Sequence, residues 1–173
     1  MNQQIVDHFA SSAKTALATG EMLAEEISCA ARSMLDTLDN GGKLLLCGNG
    51  GSATDAMHFS AELLVRFLKE RKALPAIALV SDTATLTATG NDYAFDQIFS
   101  RQLEALATPG DHLVVITTSG NSPNILNAVK ASQATGGIKI TALTGRGGGA
   151  LASMLGPQDC ELRVPSDSTA RIQ

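Results

Sequence analysis

The sequence predicts an α/β fold with a doubly wound, five-stranded parallel sheet and a helical N-terminal extension. Three observations support it: short apolar runs without polar alternation, helical periodicity between these runs, and glycine-rich loops after several of them. Continuous apolar strands that alternate with helices are typical of a parallel sheet covered on both faces. The length of 173 residues and the hydrophobic content of 44% suit a single domain over residues 1–173.

Residues 1–40 make up the N-terminal extension. Ile5, Phe9 and Leu17 recur at helical spacing before Gly20, and a second run with the same period extends to Leu38. We interpret the two runs as two amphipathic helices that Gly20 interrupts. Their apolar faces are larger than one small sheet can cover, which favours an oligomer.

Residues 41–173 form the α/β core. The five predicted strands are 43–47, 75–80, 112–116, 138–143 and 161–164. The predicted helices between them span about 53–68, 82–89, 94–107 and 123–135. Ser81 or Asp82 can cap the second of these helices, and Ser122 followed by Pro123 is a typical start for the last one. Residues 166–173 look like a cap and a first helical turn, and we expect a covering helix to follow them.

The bulk composition excludes several classes of function. A net charge of −4 and a pI of about 5.3 give no basic footprint for nucleic acid. No apolar run approaches the ~18 residues that cross a bilayer, and Asp7 and His8 stand where a signal peptide needs an apolar core. We therefore expect a soluble, cytoplasmic protein without nucleic-acid or membrane partners. The three scattered cysteines contain no CxxC pair and predict buried, reduced thiols, with no metal or redox site.

Two strand-to-helix loops carry the candidate chemistry, because ligands of open parallel sheets bind beyond the carboxyl ends of the strands. The first loop, residues 47–52 (CGNGGS), has glycines that let the backbone approach an anion at a helix N-terminus. The second, residues 117–122 (TTSGNS), has four hydroxyls, which suit a phosphate monoester better than simple N-capping. A third glycine loop spans residues 144–149. Neither GxxxxGK[ST] nor GxGxxG is present in these loops, which disfavours nucleotide triphosphates and dinucleotides.

The helix after the first loop has Asp55, His58, Glu62 and Arg66 on one stripe, three or four residues apart. Such a stripe is either a solvated face or part of the site. His58 and Glu62, at i and i+4, can ligate one metal or place a base beside a bound sugar. The pair at 91–92 (ND) either forms an Asx turn or binds sugar hydroxyls.

Together these segments resemble the phosphoheptose isomerase family, whose members have a sugar isomerase (SIS) domain. The segments CGNGGSATDAMHFSAEL, TATGNDYAF, ITTSGNSPNI, ALTGRGGG and VPSDSTARIQ occur in the family order, and the resemblance extends over essentially the whole chain. The resemblance implies an SIS fold and a homotetramer. It also implies conversion of sedoheptulose 7-phosphate to D-glycero-D-manno-heptose 7-phosphate, for the synthesis of the lipopolysaccharide core.

The resemblance further implies roles for individual residues. The residues expected to hold the phosphate are Ser52, Thr117, Thr118, Ser119 and Ser122, and those expected to line the sugar site are Asn49, Gly50, Gly51, Asn91 and Asp92. His58, Glu62 and Gln173 match the family's ligands of one zinc ion per subunit, and Glu62 and Gln173 are also expected to contact the substrate. Glu62 matches the catalytic acid/base. The family's remaining histidine lies on the C-terminal helix, beyond Gln173.

Two other functions stay open. A close sister of the family binds the replication initiator DnaA without catalysis, and LGPQDCELRVPS is similar to the corresponding segment of that sister. Glu62 favours the enzyme, because the sister lacks the acidic residue of the catalytic helix. A phosphosugar-sensing regulatory domain is the third possibility, but such domains usually carry an attached DNA-binding region, which the sequence does not show.

Overall fold

A computed structural model describes residues 1–173. It contains five strands: β1 (Leu44–Gly48), β2 (Ala76–Ala78), β3 (His112–Ile116), β4 (Lys139–Thr144) and β5 (Cys160–Arg163). All pair in parallel, in the order β2-β1-β3-β4-β5. The predicted fold class is confirmed, and the ends of the predicted strands are shifted by at most two residues.

Seven α-helices surround the sheet: α1 (Asn2–Asp39), α2 (Gly51–Leu64), α3 (Thr83–Asp92), α4 (Ser100–Leu106), α5 (Pro123–Thr135), α6 (Gly149–Ala152) and α7 (Thr169–Ile172). A single 3-10 turn, Phe95–Gln97, precedes α4. None of the helices combines the length and the apolar character that crossing a membrane requires.

The N-terminal extension is one helix of 38 residues, so the predicted interruption at Gly20 is wrong. A glycine inside a helix costs about 1 kcal/mol relative to alanine, which a long helix can absorb. A Cβ at Gly20 would meet no other atom, so no neighbouring element forces a break there. The second half of α1 packs on the sheet and buries Ala30 and Thr37. The first half is largely exposed, with Phe9 75% exposed, and it contacts the rest of the chain through the hydrogen bond between His8 and Arg171.

The helices cover both faces of the sheet, as the uninterrupted apolar strands predict. Successive side chains of a strand point to opposite faces. Leu45 of β1 therefore belongs to one apolar cluster together with Phe99. Leu44 packs on the other side against Ala56 of α2 and Met34 of α1. The three central strands are thus covered on both faces by helices, whereas the edge strands β2 and β5 are partly exposed.

The three cysteines differ in exposure. Cys47 is buried in β1, whereas Cys160 is partly exposed and Cys29 lies on the exposed side of α1. The prediction of buried thiols is therefore confirmed for Cys47 and wrong for Cys29 and Cys160, which lie where α1 packs beside the edge strand β5.

Helix α2 ends at Leu64 instead of continuing to about residue 68. The guanidinium of Arg71 folds back onto the end of the helix, and its Nη2 and Nη1 donate to the carbonyl oxygens of Glu62 and Leu63 at 2.6 and 2.9 Å. These bonds satisfy carbonyls that a helix end leaves without partners. Arg66 consequently lies outside the helix and does not extend the predicted stripe.

The predicted helix 94–107 is divided into the 3-10 turn and α4. The predicted cap at Asp82 is confirmed, since its Oδ1 accepts the N–H groups of Ala84 and Thr85 at 3.0 and 3.2 Å. Hydrogen bonds from the side chain and the backbone of Thr85, and to a smaller extent from Ala84, hold the pKa of Asp82 below its usual value. Helix α3 continues past its predicted end to Asp92.

The strand order fixes where a ligand can bind. From β1 the chain adds β2 on one side and later β3 on the other. The loops that follow β1 and β3 therefore diverge and leave a crevice at the carboxyl edge of the sheet, the topological switch point at which such folds bind ligands. The two loops that the sequence singles out are the loops at this crevice.

Candidate active site

A small polar cavity of about 180 Å³ lies in the crevice between β1 and β3. Hydroxyl and amide side chains form most of its wall: Asn49, Ser52, Ile116, Thr117, Thr118, Ser119, Ser122, Thr169 and Gln173. The structure thus brings together all five residues that the resemblance assigns to the phosphate. None of the residues in the wall is charged at neutral pH.

The loop after β1 forms one side of the cavity. Gly50 is the N-cap residue of α2 and has a φ of 55°, a conformation that favours glycine. No side chain caps this helix, and the N-termini of helices attract anions. Ser52 in the first turn is only 3% exposed, and its Oγ accepts a hydrogen bond of 2.9 Å from Gln173 Nε2. A Cβ on Gly51 would lie 2.8 Å from Gln173 Oε1, so the amide of Gln173 packs directly on the backbone of the loop.

The loop between β3 and α5 forms the opposite side. Thr117 Oγ1 accepts the N–H of Gly120 at 3.3 Å, and Ser119 Oγ accepts the N–H of Asn121 at 3.2 Å. Each of these hydroxyls still has its own hydrogen to donate. Ser122 is the N-cap residue of α5, as predicted, but its side chain makes no capping hydrogen bond. Its hydroxyl is therefore free for a ligand.

The loop after β4 supports the second loop from behind. A Cβ at Gly120, whose φ is 64°, would collide with the carbonyl oxygen of Gly148. This close approach lets the N–H of Leu151 donate to the carbonyl oxygen of Gly120 at 3.0 Å. The second loop is therefore held in place by backbone contacts.

An ion pair on β5 lies beside the loop after β4. Burial acts to raise the pKa of Glu161, but hydrogen bonds from Arg163 and Thr144 outweigh it and hold this pKa below its usual value. Thr144 Oγ1 donates to Glu161 Oε1 at 2.6 Å, and Arg163 Nε donates to the same oxygen at 3.0 Å. The carboxylate is therefore charged at neutral pH and fixes the base of the loop.

His58 and Glu62 lie on one side of α2, as the sequence predicts. His58 Nε2 is 3.0 Å from Glu62 Oε1, and the two side chains are 77% and 34% exposed. This distance lets the pair share a proton or bind one ion. Gln173, the third predicted ligand, lies beside Gly51 in the first turn of α2, where its amide bonds to Ser52. The structure contains no group of three His, Cys, Asp or Glu side chains that could hold a metal, so the metal role of these residues stays a prediction.

Asn91 and Asp92 do not line the polar cavity. Both are exposed in the last turn of α3, where Asn91 Nδ2 donates to Asp92 Oδ1 at 2.8 Å. Asp92 instead borders a separate cavity near β2, together with Tyr93 and Arg101. Their predicted contact with the sugar therefore stays a prediction that the single chain does not test.

Two residues in or beside the cavity wall were missed at the sequence level. Thr169 lines the cavity from the first turn of α7. Asn124 is 1% exposed and pairs with Asn49 through two side-chain hydrogen bonds. An asparagine directly after Pro123 is ordinary in the first turn of a helix, so no local sequence signal marks it.

Comparisons with known proteins agree with this geometry. The family model of the SIS domain matches residues 8–145. The phosphoheptose isomerase of Shewanella loihica is 53% identical over 173 residues, which is 100% of this chain and 87% of that protein. The one of Chromohalobacter salexigens is 52% identical over 170 residues, covering 98% of this chain and 86% of that protein.

A solved structure of a phosphoheptose isomerase from Francisella tularensis superposes with a TM-score of 0.95 and 49% identity, covering 98% of this chain and 88% of that one. The DnaA-binding alternative finds no support in these comparisons. Sequence and structure agree over nearly the full length, and the chain belongs to the phosphoheptose isomerase family of SIS-domain proteins.

Proposed function

We propose that the protein is a ketose–aldose isomerase that converts sedoheptulose 7-phosphate to D-glycero-D-manno-heptose 7-phosphate. The observation that carries the proposal is the polar cavity, whose wall has six hydroxyl groups and lies at the N-termini of α2 and α5. Family membership supports the same substrate, because the similar proteins are phosphoheptose isomerases. The cavity holds the phosphate end of the sugar and leaves the carbonyl end to α2.

The phosphate is bound by neutral donors. Ser122 and Thr117 each have a hydroxyl hydrogen to donate, and helix N-termini attract anions through their free N–H groups and dipoles. Hydrogen bonds to a charged acceptor are stronger than neutral ones. With its phosphate in the cavity, the open-chain sugar extends its carbonyl end towards His58 and Glu62 on α2.

Isomerisation moves one proton between C1 and C2 of the sugar and another between their oxygens. Glu62 is the base that removes the carbon-bound proton, which gives an enediol, and it returns the proton to the neighbouring carbon. His58, at 3.0 Å from the Glu62 carboxylate, orients it and can exchange a proton with it. The backbone at Glu62 is itself fixed by the hydrogen bond from Arg71.

Zinc is the proposed cofactor. The chemistry of the donors fits at two positions, because an imidazole nitrogen and a carboxylate oxygen 3.0 Å apart are ligands that zinc accepts. Gln173, the third ligand that the resemblance implies, is occupied by its hydrogen bond to Ser52. A zinc ion held by His58 and Glu62 would supply a Lewis acid near the enediol oxygens.

We further propose a homotetramer, in the cytoplasm, that serves the synthesis of the lipopolysaccharide core. The exposed apolar side chains on the first half of α1 support the assembly, with Phe9 75% and Leu17 69% exposed. The 77% exposure of His58 supports it too, because proton transfer in isomerases benefits from exclusion of water. The resemblance to phosphoheptose isomerases supports the location and the pathway.

The proposal is tested by incubating the full-length gene product with sedoheptulose 7-phosphate and following the heptose 7-phosphate by chromatography. We expect conversion that depends on the sugar phosphate and is absent with unphosphorylated sedoheptulose. Lack of conversion by the full-length protein, with and without added zinc, would contradict the proposal. Binding of the replication initiator by the same preparation would then favour the non-catalytic alternative.

A further inference from the structure

Arg146 has an unusual backbone conformation. It is the single non-glycine residue of the chain with a positive φ, 53°. It is the first central residue of a turn that the N–H of Gly148 closes on the carbonyl oxygen of Gly145 at 3.0 Å. Turns with a positive φ at this position are dominated by glycine, and Gly147 follows directly. The chain thus places a large cation where a glycine would fit without strain.

Hydrogen bonds hold this cation at the rim of the polar cavity. Arg146 Nη2 donates to Thr169 Oγ1 at 3.2 Å, and Thr169 is part of the cavity wall. The backbone N–H of Arg146 donates to the carbonyl oxygen of Ser166 at 3.0 Å. The residue is exposed, and its guanidinium touches the cavity wall through Thr169.

A cation at the rim would complement the neutral donors of the cavity wall. This wall is neutral, whereas a phosphate monoester carries between one and two negative charges at neutral pH. The two other arginines in this region are engaged: Arg163 with Glu161, and Arg171 with His8. Arg146 has no carboxylate partner, so its charge is not neutralised.

We propose that Arg146 is a specificity residue for the phosphate end of the substrate. Its guanidinium attracts the dianion and fixes Thr169 at the rim, and the strained turn is what places it there. Strained residues cluster at sites where the strain serves function. The inference rests on the proposed phosphate-binding role of the cavity. The guanidinium holds the phosphate equally in the ground state and the transition state, so its loss raises KM and leaves kcat unchanged.

The test compares Arg146→Asn with Arg146→Lys. Asparagine tolerates the left-handed conformation but has no charge, whereas lysine keeps the charge. We expect Arg146→Asn to weaken binding of inorganic phosphate about tenfold in calorimetry, to raise KM for the sugar phosphate by a similar factor and to leave kcat unchanged. Arg146→Asn should also make the affinity less dependent on the salt concentration, whereas Arg146→Lys should keep the salt dependence of the wild type.

A matched control removes one positive charge elsewhere. Arg32 lies on the exposed part of α1, bonded only to Ser28, and Arg32→Gln should keep the wild-type affinity for phosphate. If Arg146→Asn unfolds, Arg146→Gly repeats the measurement in a residue that the turn accepts without strain. Wild-type affinity and salt dependence in either uncharged variant would overturn the inference while the cavity keeps its function. Absence of phosphate binding by the wild type would instead refute the cavity itself.

Discussion

Asn49 and Asn124 exchange two side-chain hydrogen bonds across the crevice between β1 and β3. Asn49 Nδ2 donates to Asn124 Oδ1 at 2.9 Å, and Asn124 Nδ2 donates to Asn49 Oδ1 at 2.7 Å. Asn124 Oδ1 also accepts the N–H of Ile125 at 3.0 Å. The paired amides fix the loop after β1 to the start of α5, so the two sides of the polar cavity keep one separation.

Replacement of Asn124 by alanine should therefore damage both stability and ligand binding. Removing one partner of a buried pair leaves the other without its hydrogen bonds, at a cost of about 1–3 kcal/mol in the free energy of unfolding. We expect the affinity for phosphate to fall as well, because the hydrogen bonds that join the two sides of the cavity are lost. Urea unfolding and calorimetry measure the two effects. Asn127→Ala, which removes a single bond to the carbonyl oxygen of Asp96, is the control and should leave phosphate binding intact.

The hydroxyls of the second loop should contribute directly to phosphate affinity. Replacing Ser119 and Ser122 together with alanine removes two charge-assisted hydrogen bonds and should weaken binding of the sugar phosphate by about 1–3 kcal/mol. Calorimetry with inorganic phosphate and with the sugar phosphate tests this. Ser153→Ala changes a hydroxyl that bonds only to the carbonyl oxygen of Ala150 and should have no effect. Unchanged affinity in the double variant would refute the assignment of the cavity.

Glu62→Gln should separate chemistry from binding. The carboxylate is the proposed base, and a general base commonly contributes a factor of ~10²–10⁴ in rate. The amide has nearly the same shape, so folding and phosphate affinity should survive while turnover is lost. Glu70→Gln is a suitable control, because Glu70 is 88% exposed and pairs only with Arg66. Full activity of Glu62→Gln in the full-length protein would rule out the proposed mechanism.

Acid should destabilise the fold through His112 at the start of β3. This side chain is 1% exposed, its Nε2 lies 2.8 Å from Thr141 Oγ1, and its Nδ1 is buried without a partner. Burial, with a smaller effect of the Lys139 charge, lowers the pKa of His112 from 6.5 to about 4. The unfolded chain therefore takes up a proton first, and stability falls as pH falls from 6.5 towards 4.

The expected slope approaches about 1.4 kcal/mol per pH unit in this window. Urea unfolding at several pH values measures it, and His112→Gln should flatten the curve between pH 6.5 and 4. Asp111 affects the free energy of unfolding at a lower pH than His112 does. Burial acts to raise its pKa, but hydrogen bonds from Lys43 and Thr108 outweigh it and keep the pKa below the usual value. Its contribution is lost only below about pH 4. If the free energy of unfolding of the wild type did not change between pH 6.5 and 4, the role of His112 would be contradicted.

The exposed first half of α1 should form subunit contacts. We expect light scattering at micromolar concentration to give the mass of a tetramer. Phe9→Ser and Leu17→Ser in one chain should lower that mass, because both side chains are largely exposed and have little to lose within the monomer. A monomeric mass for the wild type would refute the assembly. Ser11→Ala, on the same helix, should leave the mass unchanged.

The fold and the location of the site could be predicted from the sequence because both depend on local patterns. Apolar runs such as residues 112–116 have the length and flanking loops of buried strands, and the structure places a strand at those residues. The loop 117–122 then had to lie at the carboxyl edge of the sheet. The grouping of its hydroxyls with Ser52 follows from the strand order, which brings β1 and β3 side by side.

Features that depend on contacts between distant segments could not be predicted. The continuation of α1 through Gly20 depends on the absence of any packed neighbour, and the end of α2 depends on Arg71. The tie between Asn49 and Asn124 joins residues 75 positions apart. The conformation of Arg146 has no signal of its own, because its glycine-rich surroundings predict only a turn.

The hydrogen bonds of Arg71 to the end of α2 determine which neighbouring positions can vary among related sequences. The Arg71 guanidinium holds the carbonyl oxygens of Glu62 and Leu63, and the N–H of Leu74 donates to the carbonyl oxygen of Leu63 at 3.1 Å. These bonds fix residues 71 and 74 of the connection between α2 and β2 to the end of the helix. Residues 66–70 make none of these bonds. Mutations and small insertions should accumulate over generations in that span without moving Glu62. A change at 71 should instead persist only with a compensating change at the helix end.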